Sequence, residues 1–167
     1  IVNKFYEDSQ NNLWICTIPG LFLLDRDSMT FKGWRHDPND EHSLSHPCVN
    51  CAFEDSRFNL WVGTSNGLNL YDREKDQFTA YFVKDGLPGN KIVGIIEDDN
   101  GNLWLSTNKG ISKFNPKAKA IKNYNVHDGL QSNEFNGNAC YKSKSGEMFF
   151  GGINGFNSFY PADIRDN

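Results

Sequence analysis

Residues 95–107 read IIEDDNGNLWLST, and this stretch decides the fold. An apolar pair leads into a turn rich in acids and amides, and a second apolar segment around Trp104 follows it. Asp and Asn side chains brace tight turns and Gly101 supplies a positive φ, so the stretch predicts a β-hairpin. We expect its two strands at about residues 91–96 and 103–106.

Two more strands follow the hairpin before the pattern starts again. A turn at residues 108–110 predicts a return strand at 111–114, and Pro116 ends that strand because proline has no N–H to donate. A fourth strand is predicted at 120–124, before the loop that contains Asp128-Gly129-Leu130. The unit therefore has four consecutive antiparallel strands.

The same unit recurs along the whole chain. Its central aromatic residue appears at intervals of 47, 43 and 45 residues, as Trp14, Trp61, Trp104 and Phe149. A glycine lies six residues after each of them, at Gly20, Gly67, Gly110 and Gly155. Four short strands in a period of this length are the signature of a β-propeller blade.

The repeat predicts an all-β β-propeller fragment. We expect about four blades of four antiparallel strands, at residues 1–48, 49–90, 91–138 and 139–167, with the last blade limited to three strands. Such an arc leaves two open sheet faces. We therefore expect the chain to be a fragment whose ends are covered by missing blades, by another copy or by lattice contacts.

Packing between blades explains why the central strands are apolar on both faces. Leu13-Trp14-Ile15 and Leu60-Trp61-Val62 do not alternate with polar residues, so both faces of each strand must be covered. Neighbouring blades provide this cover, and the three tryptophans are expected to fill the gaps between them.

At these residues the sequence resembles the two-component regulator propeller repeat. The residues that match are 95–107 and Gly67–Asp72, and the final unit at 146–157 resembles the version that closes such an array. The resemblance implies the periplasmic sensor domain of a Bacteroides-type hybrid histidine kinase, which detects glycan fragments. It also implies about seven blades, followed by a β-sandwich, a membrane helix and kinase modules.

Composition excludes several other classes of protein. Seventeen basic and twenty-one acidic residues give a net charge of −4, which is not the footprint of a nucleic-acid-binding protein. The longest apolar run, at residues 92–96, is far too short to span a membrane. We expect contact with a membrane only through the rest of the parent chain.

The segment from Glu41 to Cys51 contains two histidines and two cysteines, a combination found in zinc sites. The internal alignment places Cys48 and Cys51 along one strand, where residues three apart face opposite sides, so we expect no metal there. The Asp98 turn resembles a calcium loop but lacks the terminal bidentate Glu. We predict no cofactor and no disulfide.

A residue that binds a ligand is needed in only one blade. It should therefore differ from the residues at the equivalent positions of the other blades, and it should lie on the rim that the blades share. The loops between strands two and three share one rim with the loops between blades. The non-recurring residues of this rim are the candidate ligand-binding set: Arg35, His36, His46, Asn66, Lys109, His127, Glu134 and Asn154. The alternative interpretation is that these residues are polar only because surface loops face water.

Three functions are compatible with this fold. The leading hypothesis is the ligand-sensing segment of a sensor kinase, which binds a small glycan and is not itself an enzyme. The alternatives are a protein-interaction scaffold and a propeller lyase. No serine-hydrolase elbow, phosphate-binding loop or His-Glu-x-x-His motif occurs in the chain, and the blade signature of WD repeats is also missing.

Overall fold

The structure is a computed structural model that describes residues 1–165. Within this range the chain forms four antiparallel sheets, and the strands of each sheet lie in chain order. Short 3-10 helices occur at Val83–Asp85, Val126–Asp128 and Pro161–Asp163, and no α-helix is present in these residues. The all-β propeller prediction is confirmed.

Each sheet is one blade, numbered in chain order. Blade 1 consists of β1 (Val2–Glu7), β2 (Leu13–Thr17), β3 (Leu21–Asp25) and β4 (Thr30–Trp34). Blade 2 consists of β5 (Val49–Glu54), β6 (Leu60–Thr64), β7 (Gly67–Asp72) and β8 (Gln77–Tyr81). Blade 3 consists of β9 (Ile92–Glu97), β10 (Leu103–Thr107), β11 (Gly110–Asn115) and β12 (Ala120–Tyr124). Among the described residues, blade 4 has three strands: β13 (Phe135–Lys142), β14 (Met148–Gly152) and β15 (Gly155–Phe159).

The predicted strands of the third unit lie within about one residue of the observed ones. Blade 4 differs more, because β13 begins at Phe135 and the repeat alignment puts the start of this unit at Ala139. Phe135 pairs with Gly152, and an irregularity in the pairing absorbs the extra residues before Cys140. Burial of the Phe135 ring accounts for the early start.

Tryptophan fills the interface between blades, as predicted. The Trp14 ring packs against Tyr71 of blade 2 at 5.7 Å, and Trp61 packs against Phe114 of blade 3 at 5.5 Å. Trp104 repeats the contact with Phe159 of blade 4 at 4.9 Å. All three indoles are at most 1% exposed. Burial of such rings contributes several kcal/mol each, on the order of 3–5 by truncation to alanine.

The first strand of each blade lies innermost, and asparagines tie these strands together. β5 contacts both β1 and β9, and β13 reaches β9 and β5. Asn3 Nδ2 donates to the Val49 carbonyl at 2.8 Å. Asn138 Nδ2 lies 3.2 Å from the Asn50 carbonyl oxygen and 3.4 Å from that of Asn3. Four blades thus curl around a common hub.

The two ends of the arc are open. In β6, Leu60 and Val62 are fully buried because blades lie on both sides of their sheet. The equivalent residues of β2, Leu13 and Ile15, are only half-buried because their face of blade 1 has no neighbour in the described chain. Complete cover of both faces therefore holds for the internal blades and not for blade 1.

Candidate ligand-binding rim

The loops between strands two and three meet the loops between blades on one rim. Gly67 N donates to the Asn90 carbonyl at 2.6 Å, and Gly110 N donates to the Asn133 carbonyl at 2.7 Å. Each bond joins a hairpin to the connection that leads into the following blade. The rim expected from the strand order is therefore present and is held by backbone hydrogen bonds.

A groove of about 470 Å³ opens on this rim beside the long connection from blade 1 to blade 2. One wall comes from the connecting loop at residues 36–45, and the other comes from β8 and the segment that follows it. Its lining includes His36, His42, Asn66, Phe82 and Lys84. Three carboxylates, Asp37, Asp40 and Glu41, also line the groove.

Internal hydrogen bonds hold the loop wall in shape. Asp37 N donates to Ser43 Oγ at 2.9 Å, and the same hydroxyl donates to the Asp37 carbonyl at 3.0 Å. Leu44 is fully buried in the core between blades 1 and 2 and anchors the loop. Phe78 N donates to the His42 carbonyl at 2.8 Å, which fixes the loop to the edge of β8. The groove is therefore preformed.

The histidine at the start of the loop has a defined tautomer. His36 Nδ1 lies 2.6 Å from the Leu44 carbonyl oxygen. A carbonyl only accepts hydrogen bonds, so Nδ1 carries the proton and donates it. In the neutral ring Nε2 is then left as an acceptor. His36 thereby both pins the loop and offers an acceptor for a ligand hydroxyl.

The opposite wall supplies an aromatic ring and a cation. Phe82 is half-buried, and Lys84 Nζ lies 5.5 Å from the centre of its ring. Val83–Asp85 form a 3-10 turn, and Asp85 Oδ2 accepts from Phe82 N at 2.8 Å. The Gly86 cap of this turn has a left-handed φ of 112°. The turn therefore holds Phe82 and Lys84 next to each other.

The structure brings two of the eight predicted residues into the groove, His36 and Asn66. Arg35 lies over Phe22, with its guanidinium carbon 6.0 Å from the ring centre. His46 Nδ1 accepts from Cys48 N at 3.0 Å and so braces its own loop. These two residues therefore have local structural roles.

The other four predicted residues lie further round the rim and do not converge. Lys109 N and His127 N donate to side chains within their own turns, those of Thr107 and Asn125. Glu134 N donates to Ser132 Oγ at 3.2 Å, and Asn154 N donates to Gln131 Oε1 at 2.9 Å. All four side chains are exposed.

Phe82 and Lys84 were missed by the sequence analysis although the signal was available. Phe82 aligns with Asn125 and Lys84 with His127, so both break the repeat. A comparison of every residue at 82–91 with its counterpart in the next blade would have selected Phe82 and Lys84. His42 was considered only as a zinc ligand.

Two of the residues considered as zinc ligands, His46 and Cys48, are joined by a hydrogen bond from Cys48 N to His46 Nδ1. Among residues 1–165, no group of three or more His, Cys, Asp or Glu side chains is placed to hold a metal ion. Cys51 is fully buried, and the four cysteines are free thiols. Burial raises the pKa of Cys16 to about 12 and also raises that of Cys51.

The Asp98 turn, which resembles a calcium loop, uses its carboxylate to build the hairpin. Asp98 accepts from the backbone of Asn100 and Asn102 at 2.9 Å and from Trp104 Nε1 at 2.9 Å. Burial by itself raises the pKa of this carboxyl, but hydrogen bonds from Trp104 and Asn102 outweigh it and leave the pKa below its ordinary value. Asp8 makes the same bonds with Asn12 and Trp14.

A sequence profile described as "Two component regulator propeller" matches residues 86–109. Residues 86–109 therefore carry one unit of the two-component regulator propeller repeat. The matched residues include the Asp98 turn and the strand of Trp104. No curated protein matches the sequence significantly.

This chain is similar in structure to the extracellular domains of two hybrid two component systems. It is similar to a protein described as the extracellular domain of the hybrid two component system BT3049 of B. thetaiotaomicron, with 28% identity and a TM-score of 0.85 over 96% of this chain. The propeller spans about a fifth of that domain, 22% of its length. A second such domain, BT4673 of the same organism, shares 20% identity over 97% of this chain and 30% of its own, with a TM-score of 0.53, and shows the fold alone.

The likeness extends to enzymes at the level of the fold. Virginiamycin B lyase from Staphylococcus aureus shares 15% identity with a TM-score of 0.67, over 97% of this chain and 56% of the lyase. Identity at this level carries no catalytic residue across. In the described part of this chain, no helix has the length and apolar character needed to cross a membrane.

Proposed function

We propose that this chain is a ligand-sensing segment of an extracytoplasmic propeller and that it binds a neutral oligosaccharide in the rim groove. The parent protein would be a hybrid two-component sensor histidine kinase that regulates transcription, with this segment in the periplasm. The similarity to an extracellular domain of a hybrid two component system supports the setting. The segment itself would bind its ligand and catalyse no reaction.

The observation that carries the proposal is the chemistry of the two groove walls. Phe82 offers a ring face on which a sugar ring stacks, and His36, Asn66 and the loop carboxylates offer partners for hydroxyls. Convergent polar groups beside an aromatic surface are typical of small-molecule sites. A site that binds by hydrogen bonds discriminates strongly against a ligand that leaves the polar groups of the site without partners.

The charges of the groove favour a neutral ligand. Three carboxylates, Asp37, Asp40 and Glu41, face one lysine, Lys84. An acidic sugar would meet an excess of like charge, whereas neutral hydroxyls donate readily to carboxylates. We therefore expect neutral oligosaccharides to bind more tightly than those that contain uronic acids.

Sensing requires that binding favours one arrangement of the protein over another. The groove joins the loop that leaves blade 1 to the outer strand of blade 2, so a ligand held by His36 and Lys84 contacts both this loop and the segment that follows blade 2. Its binding energy would be available to shift the relative position of these blades. The parent chain would then read this shift.

The test is isothermal titration calorimetry with panels of neutral and acidic oligosaccharides. The double variant His36→Ala, Lys84→Ala should weaken binding at least tenfold. The matched control is His127→Ala, Lys109→Ala, which removes the same two residue types from the same rim outside the groove and should leave affinity unchanged. Equal loss in both variants, or binding only of acidic sugars, would contradict the proposal.

A further inference from the structure

The outer strand of blade 2 directs the backbone of one residue into the rim groove. In an antiparallel pair, residues alternate between those that bond to the partner strand and those that point away from it. Phe78 N points away from β7, because it donates to the His42 carbonyl at 2.8 Å. Ala80 lies two residues further along β8, so its N–H and C=O also point away from β7.

The backbone groups of Ala80 are available to a ligand. Ala80 is partly buried and lines the groove. Within residues 1–165, no side chain or loop backbone bonds to its N–H or its C=O. The outward amides on either side are both occupied, because Phe78 N bonds to the loop and Phe82 N donates to Asp85 Oδ2 at 2.8 Å. Ala80 thus presents one donor and one acceptor side by side.

The small side chain of Ala80 explains why a groove is present at this position. Ala80 aligns with Asn123 on the outer strand of blade 3. Asn123 Nδ2 donates to the Gly86 carbonyl at 2.8 Å and so bridges its strand to the connection that precedes its blade. The methyl group of Ala80 cannot make the equivalent bridge to the loop at residues 36–45. A gap therefore remains between this loop and β8, and this gap is the groove.

The short length of this edge favours a sugar over an extended peptide. A peptide that adds a strand to a sheet bonds to several alternate residues of the edge. Along β8 the loop occupies Phe78, and the Asp85 carboxylate occupies the amide of Phe82, so only Ala80 is left. Two adjacent hydroxyls of a sugar ring match this single pair, because one can accept from the N–H while the other donates to the C=O.

We propose that Ala80 determines the specificity of the rim groove. Its N–H and C=O would bind two adjacent hydroxyls of a neutral sugar ring, and its methyl group would leave room for that ring beside Phe82. This inference rests on the proposed function and adds to it the part of the ligand that is recognised. The recognition depends on the backbone, so a comparison of side chains between blades reveals only the small size of Ala80.

The first test removes the backbone donor. Ala80→Pro deletes the N–H, and an edge strand tolerates proline where this group faces away from the sheet. The probes for isothermal titration calorimetry are four neutral hexasaccharides: maltohexaose, cellohexaose, mannohexaose and laminarihexaose. Ala80→Pro should weaken binding at least about tenfold, because a sugar hydroxyl loses its partner. Ala80→Gly keeps both backbone groups and should keep the affinity of the wild type.

A second variant keeps the backbone and closes the groove. Ala80→Asn introduces the residue of blade 3, which should fill the gap and weaken binding at least about tenfold. The matched control is Phe31→Pro, since Phe31 pairs with Leu24 on blade 1 as Phe78 pairs with Tyr71 on blade 2. Its N–H therefore also points away from the sheet, outside the groove, and its loss should leave affinity unchanged. Near-UV circular dichroism verifies that each variant is folded.

The linkage of the probes tests the pair of hydroxyls. Every inner ring of the three 1,4-linked hexasaccharides carries adjacent free hydroxyls, whereas 1,3-linked laminarihexaose has such pairs only on its end rings. The wild type should bind laminarihexaose several-fold more weakly than the best 1,4-linked probe, and equal affinity would overturn the recognition of a hydroxyl pair. Wild-type affinity in folded Ala80→Pro and Ala80→Asn would overturn the role of Ala80 and leave the proposed function standing. A wild-type chain that binds none of the four probes would overturn the proposed function and this inference with it.

Discussion

The side-chain amide of Asn50 donates to the backbone carbonyl of Ile92, 2.9 Å away, and joins the innermost strand of blade 2 to that of blade 3. Asn50 lies at a β-bulge, where the pairing of β5 with β6 skips one residue. Asn3 occupies the equivalent bulge of blade 1 and donates to Val49 in the same way. The bulge re-aims the side-chain amide so that it reaches the first strand of the next blade.

Removal of this amide should destabilise the hub. Asn50→Ala leaves the Ile92 carbonyl without its side-chain donor, which should lower the free energy of unfolding by about 1–3 kcal/mol. Chemical denaturation followed by tryptophan fluorescence measures the change. Asn39→Ala, in the exposed loop, is the control and should change stability by less than about 0.5 kcal/mol. Equal losses would show that the hub bond is not a source of stability.

A pair of glycines separates backbone strain from steric conflict. Gly110 and Gly155 hold equivalent positions with φ of 113° and 115°, so alanine is strained at both. At Gly110 a Cβ atom would collide with the Tyr124 carbonyl oxygen, whereas at Gly155 it would meet nothing within 4 Å. Gly110→Ala should therefore cost about 1–3 kcal/mol more than Gly155→Ala in a thermal or denaturant melt. Equal costs would contradict the close packing of β11 against β12.

Acid should weaken the contact between blades 1 and 2. Hydrogen bonds from Lys32 and Tyr71 lower the pKa of Asp76 to about 2, against a small effect of burial, and Trp34 Nε1 also donates to it. A pKa below the unfolded value of about 4 means that this stabilisation is present above pH 4 and is lost as the pH falls towards 2.

The Asp76→Asn variant isolates this effect. Its stability, measured by denaturation at several pH values, should fall less steeply than that of the wild type between pH 4 and 2. Some slope should remain, because the pKa values of Asp8 and Asp98 are also lowered in the folded chain. If stability falls equally steeply with pH in the two proteins, the contacts of Asp76 do not stabilise its ionised form.

Thiol reactivity should follow burial. Cys16 and Cys51 are fully buried, and burial raises the pKa of both thiols, whereas Cys48 is only half-buried at the end of the rim loop. The thiolate is the reactive form, so Cys48 should react with iodoacetamide at least about tenfold faster than Cys16 and Cys51 in the native protein. Peptide mass spectrometry after a timed exposure measures the rates. Equal labelling of Cys48 and Cys51 would contradict the packing of β5.

Local patterns were enough to predict the blades. Asp98, Gly101 and Trp104 predict a hairpin because each meets a local requirement of the turn or of the strand that follows. The bulge at Asn50 was not predicted, because strands covered on both faces show no apolar–polar alternation whose change of phase would reveal an extra residue. The early start of β13 at Phe135 escaped prediction for the same reason.

The groove was only partly predictable. The loop at residues 36–45 has no counterpart in the other blades, so the repeat gives no template for its shape. This shape is fixed by the burial of Leu44 in the core and by the hydrogen bond from His36 to the Leu44 carbonyl. Neither contact follows from the local sequence pattern. Non-recurrence selects His36 and Asn66, which line the groove, but it cannot separate them from His127, which is exposed elsewhere on the rim.

The most direct measurement of the central claim is NMR mapping of the oligosaccharide site on isotope-labelled chain. Amide and side-chain shifts should change on titration at His36, Asn66, Phe82 and Lys84, while those of Lys109, His127 and Glu134 stay constant. Shift changes confined to the other side of the rim, or to the open faces of blades 1 and 4, would show that the groove is not the binding site.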